Sequence, residues 1–114
     1  MTQRIEAGVL VPGRGEPIAD ATLVLDGSTI SYAGPRATAP PTPGATTLNV
    51  PAVMPGMWDC HAHFMGLLDL DFNKFPWTPV AVYAARTAMD AGKALNAGIT
   101  SVREVGGLGI HLAR

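Results

Sequence analysis

Val53-Met54-Pro55-Gly56-Met57-Trp58-Asp59-Cys60-His61-Ala62-His63-Phe64 is the run from which the rest of the chain can be placed. Pro55-Gly56 makes a turn, and Met57–Phe64 reads as a strand buried on both faces. Side chains alternate along a strand, so His61 and His63 leave one face, with Cα atoms about 6.6 Å apart at about 3.3 Å per residue. Parity then sorts the strand. Met57, Asp59, His61 and His63 point one way; Trp58, Cys60, Ala62 and Phe64 point the other. The first set is chemically active and the second apolar, as on a barrel strand that divides a lumen from a helix layer. Two imidazoles at this spacing can converge on one ion, and neutral imidazole nitrogen is a ligand for Zn²⁺. A bare His-x-His also arises from two hydrogen-bonded core histidines, so its surroundings have to decide between the two.

Outward from this run, Thr78 is a suitable N-cap and Pro79 a suitable first helical residue. Ala84, Ala88, Ala91 and Leu95 recur at helical steps, and Gly98 stands where a C′ glycine would stop the helix. Ile99–Val105 resumes as a strand, ended by Gly106-Gly107. Strand, loop, helix and strand form the unit that builds parallel sheets. Upstream, Ile5–Leu10, Ala21–Leu25, Thr29–Ala33 and Thr46–Val50 read as short strands, with Asp26-Gly27 as the tight turn between the second and third. Pro35 to Gly44 has no hydrophobic period and reads as an exposed loop. The expected division is residues 1–53 as a partial β-sandwich and 54–114 as a first βαβ unit.

Composition excludes several classes of function. The 114 residues are 47% hydrophobic but only 15% charged, below the roughly 25% of ordinary soluble domains. Part of the surface is therefore expected to meet a covering partner. Eight Lys plus Arg against nine Asp plus Glu give a net charge of −1, with no basic run to neutralise a series of phosphates, so nucleic acid is not an expected ligand. The single cysteine, Cys60, cannot close an internal disulfide. Ala37–Trp58 is long enough to span a bilayer but carries five prolines, so no membrane span is expected. Nor does the start of the chain lead into a long apolar run, which makes a cytoplasmic location the default expectation.

The Pro-Gly-x-x-Asp-x-His-x-His pattern from Pro55 to His63 resembles the first barrel strand of the amidohydrolase superfamily. The N-terminal strands with Asp26-Gly27 resemble the small β-sandwich of that family. Ala97-Gly98-Ile99-Thr100-Ser101-Val102-Arg103-Glu104-Val105-Gly106-Gly107 resembles its second barrel strand, in the manner of imidazolonepropionase-related and prolidase-like members. The resemblance implies an α/β fold: the N-terminal part of a (β/α)₈ TIM barrel preceded by a partial β-sandwich domain. It implies hydrolysis of a C–N amide bond in a cyclic amide, dipeptide or N-acyl amino acid, with one or two divalent ions, Zn²⁺ foremost, held in part by His61 and His63. The family's other ligands, a bridging Lys, two further His and an Asp that shuttles protons, lie on later strands. A barrel of this kind takes about 250 residues, so either the chain is a fragment of one or a second polypeptide supplies the remaining strands; the expectation is a second polypeptide, in an oligomeric assembly.

Other residues carry more than one reading. Asp59 either orients a metal ligand or accepts backbone hydrogen bonds at the strand start. Arg103, at the C-terminal end of its strand, either binds a substrate carboxylate or forms an ordinary salt bridge. Family members commonly have Asp where this chain has Glu104, whose role the resemblance leaves open. Cys60 is expected to be a buried small hydrophobe, and His111 structural or exposed. Met65–Trp77 is either a loop giving the pocket aromatic walls or a surface for a neighbouring subunit. The rival functional class is a non-catalytic assembly subunit that keeps its histidines for packing or for a structural metal.

Overall fold

In the computed structural model, which describes residues 1–112, the chain divides into two units, Met1–Pro55 and Gly56–Arg114. The first is built from β1 (Thr2–Leu10), β2 (Ile18–Asp26), β3 (Thr29–Pro35) and β4 (Thr46–Val53). They form one four-stranded sheet in the order β3-β2-β1-β4, with β1 antiparallel to β2 and parallel to β4. Each strand runs beyond its apolar stretch, because backbone pairing continues through polar residues such as Thr2 and Gln3 opposite Asp26 and Leu25. Asp26 pairs with Thr29, so the turn residues are Gly27-Ser28 rather than Asp26-Gly27. Gly27 takes φ +61°, the first central position of a primed turn whose twist suits the flanking strands.

Where a partial sandwich is expected, the described residues of this unit contain one sheet layer. Leu10, Ala21 and Leu23 are its buried core, flanked by Ile5, Ile18, Leu25 and Val53. A polar cluster also lies on the sheet: the buried Thr22 hydroxyl donates to Glu6 Oε2 at 2.6 Å, and Arg36 Nε sits 3.2 Å from the same carboxylate. Arg4 donates to the other Glu6 oxygen.

The second unit holds β5 (Met57–Ala62), α1 (Val80–Asn96) and β6 (Ile99–Glu104), with β5 and β6 parallel. The helix begins one residue later than expected. Pro79, at φ −57° and ψ 136°, occupies the cap position without a side-chain cap. The Thr78 hydroxyl is committed elsewhere, donating to the Lys74 carbonyl at 3.1 Å to close the 3₁₀ turn Phe72–Trp77. Ala97 is the C-cap, and Gly98 follows at φ +87° as expected.

The face of α1 that packs inward is displaced by one position. Tyr83 and Thr87 are buried, whereas Ala84, Ala88 and Leu95 are exposed and Ala91 is half-buried. Polar anchors account for this rotation: Tyr83 Oη donates to the Phe75 carbonyl and Thr87 Oγ1 to the Phe64 carbonyl. Fixed hydrogen bonds thus override a stripe of alanines, each of which has little area to bury.

β5 also departs from its expected double-sided burial, since Ala62 is buried while Met57, Trp58, Cys60 and His61 are exposed. Cys60 is therefore not the buried residue that parity suggested. Among the described residues β5 has one partner strand, and its register shifts between Asp59 and Ala62. Cys60 and His61 both stand opposite Arg103, a bulge that lifts them off the ladder. No helix among the described residues is long and apolar enough to cross a membrane.

Candidate metal centre

The two histidines of β5 and its exit come together. The His61 and His63 ring centroids lie 5.2 Å apart with planes inclined at 62°, and both residues are exposed. His63 Nδ1 is 2.7 Å from the Gly106 carbonyl oxygen. A carbonyl only accepts, so Nδ1 carries the proton and Nε2 presents a lone pair. Metal-ligating histidines characteristically use the second ring nitrogen in this way.

Asp59 Oδ1 accepts the His61 backbone N–H at 3.0 Å. Of its two readings, the observed contact is therefore to the backbone at the bulge, where it holds the residue that carries the first imidazole.

The loop leaving β5 is fixed from two sides. Glu104, the last residue of β6, accepts the Phe64 N–H on Oε2 at 2.9 Å and the Gly106 N–H on Oε1 at 3.2 Å. From α1, Arg86 donates to the Gly66 and Leu67 carbonyls at 3.0 and 3.1 Å, and Thr87 to the Phe64 carbonyl at 3.2 Å. Gly66 is buried at φ +64°, and a Cβ there would collide with the Tyr83 carbonyl oxygen. Only glycine lets the chain pass this close to the helix.

Arg103 is exposed and, with Glu104, Gly106, Gly107 and Ile110, lines a depression of about 380 Å³. No ion pair among the described residues uses it. His111 is exposed in the 3₁₀ turn Gly109–Leu112. In the loop before α1, Phe72 and Trp77 are exposed and Phe75 stacks on Tyr83 at 4.8 Å. The Lys74 ammonium, hydrogen-bonded to Asp69 at 2.7 Å, holds that carboxyl below its ordinary value.

As a test of fit, His61 and His63 have the right donor chemistry for a borderline-soft divalent ion such as Zn²⁺, and His63 also has the right tautomeric bias. They would supply two ligands; among the described residues no group of three or more His, Cys, Asp and Glu side chains gathers as a metal site. The roles of Glu104, Arg86 and Thr87 were not foreseen. Their signal was an Arg-Thr pair within an alanine-rich helix and a carboxylate placed just before a glycine pair.

No family model matches the chain. Over 115 aligned residues it is 39% identical to ochratoxinase from Aspergillus niger, an alignment covering 96% of this chain and 24% of that protein. The crystal structure of the A. niger ochratoxinase matches with a TM-score of 0.85 and 37% identity, over 98% of this chain and 27% of that one. Imidazolonepropionase from Pseudomonas aeruginosa is 38% identical over 63 residues, 54% of this chain and 16% of the enzyme. A prolidase crystallised with N-methylphosphonate-L-proline matches with a TM-score of 0.77 and 27% identity, over 93% of this chain and 26% of that one. The chain spans about a quarter of the length of the ochratoxinase it matches. Over that span its sequence and fold are similar to those of amidohydrolases, with ochratoxinase, imidazolonepropionase and prolidase among its homologues.

Proposed function

We propose that this chain contributes the first two metal ligands, His61 and His63, to an amidohydrolase that cleaves a C–N amide bond in a small molecule such as a cyclic amide, dipeptide or N-acyl amino acid. The observation that carries this reading is the imidazole pair, with centroids 5.2 Å apart and His63 held so that Nε2 is free. Kinship with ochratoxinase, imidazolonepropionase and prolidase supports the bond class. The ion is Zn²⁺, one or two per site. When bound, such an ion supplies a Lewis acid for the amide carbonyl and a water acidified towards neutral pH.

This chain's own residues do the holding. His61 and His63 present nitrogen lone pairs, Asp59 fixes the His61 backbone, and Arg103 offers a guanidinium for a substrate carboxylate. Proton delivery to the leaving nitrogen falls to a carboxylate on a later strand. The remaining strands of a (β/α)₈ barrel come from further polypeptide. Exposure of Trp58, Met89, Leu95 and Val102 supports that completion, since the unit leaves large apolar side chains in water.

The test is elemental analysis of the purified protein beside H61A, H63A and the double variant, with hydrolysis assays on N-acyl amino acids in the presence and absence of co-purifying polypeptides. Metal and hydrolysis should disappear together. Unchanged metal content in the double variant would overturn the proposal.

A further inference from the structure

We infer that Glu104 is the positioning residue that sets the orientation and tautomer of His63; this rests on and deepens the reading of His63 as a metal ligand. The Glu104 carboxylate joins two segments. One oxygen takes the N–H of Phe64, the residue after His63, and the other takes the N–H of Gly106, whose own carbonyl receives His63 Nδ1. The bonds close a ring: His63 to Gly106 through the imidazole, Gly106 to Glu104, Glu104 to Phe64, and Phe64 to His63 through the chain. Within it, the acceptor that selects the imidazole tautomer cannot shift without breaking a charge-assisted hydrogen bond.

The surroundings are shaped for this carboxylate. A Cβ on Gly107 would come within 3.2 Å of Glu104 Oε1, and one on Gly109 would collide with Oε2. Few other side chains can replace it. Both bonds need an acceptor, and glutamine would turn an N–H₂ donor towards one of the two N–H groups. Aspartate, shorter by one methylene, can still reach the Gly106 N–H two residues on but not both donors from an unchanged backbone.

The experiment uses the metal-free protein and long-range ¹H–¹⁵N NMR to read the tautomers of both imidazoles in the wild type, E104Q and E104D, followed by Zn²⁺ titration calorimetry. His63 should be the Nδ1–H tautomer in the wild type and become a mixture in E104Q, while His61 stays unchanged as the internal control. Zn²⁺ affinity should fall about 10–100-fold in E104Q and by less in E104D. A His63 that stays wholly Nδ1–H in a folded E104Q, or His61 and His63 changing together, overturns the inference. If E104Q does not fold, E104D decides, and wild-type tautomer and affinity there overturn it equally. A wild type that binds no Zn²⁺ yet shows the tautomer shift in the variants sinks the metal reading and upholds the positioning role.

Discussion

His63 shows how much a single acceptor can determine. The Gly106 carbonyl at 2.7 Å makes one ring nitrogen a donor and leaves the other a base. At the same scale, Glu6 in the sheet unit is a carboxylate held charged. The Thr22 hydroxyl, then Arg4 and Arg36, push its pKa below the ordinary value of 4.5, against the opposing effect of burial. Because the folded-state pKa is depressed, Glu6 stabilises the fold above about pH 4.5, and the contribution is lost as pH falls through the folded value. E6Q should therefore lower the neutral-pH melting temperature and flatten the acid limb of a stability profile measured by circular dichroism. An unchanged acid limb would show that other carboxylates control it.

At the scale of elements, α1 works as a clamp on the loop that leaves β5. Arg86, Thr87 and Tyr83 hold the carbonyls of Phe64, Gly66, Leu67 and Phe75, so the face buried is the one that hydrogen-bonds. Thr87→Val keeps the shape but removes the donor to Phe64, which should cost about 1 kcal/mol in chemical denaturation. Gly66→Ala is more severe, since φ is +64° and a Cβ meets the Tyr83 carbonyl; a loss of about 1–3 kcal/mol is expected, with His63 displaced. Wild-type stability for Gly66→Ala would mean that the loop has room to move away from the helix.

For the whole molecule, the second unit offers a two-stranded sheet whose outer residues Trp58 and Cys60 are exposed. In the proposed barrel that surface is covered, so Cys60 becomes a reporter of assembly. Thiol labelling should be fast in the chain alone and much slower once the polypeptide carrying the other strands is added, in step with recovery of hydrolysis. Equal labelling rates in both states would sink the proposal that a partner covers this face. Mass analysis of every polypeptide that co-purifies is the companion measurement.

Local chemistry made much of this legible in the sequence. Apolar runs punctuated by Gly and Pro located each strand, Gly98 the end of α1, and the Asp59-to-His63 pattern the family and the two imidazoles. These features depend on residues close together along the chain, where period and backbone preference act directly. What tertiary structure decided depends on partners far apart in sequence. The turn moved to Gly27-Ser28 because pairing carried β2 through Asp26. The face of α1 rotated because three of its side chains found carbonyls in the preceding loop. Cys60, like Met57 and Trp58, lies at the surface because β5 has one partner strand among the described residues. The proton of His63 was placed by a glycine carbonyl 43 residues away; neither the residue type nor its neighbours in sequence encode which acceptor folding will bring.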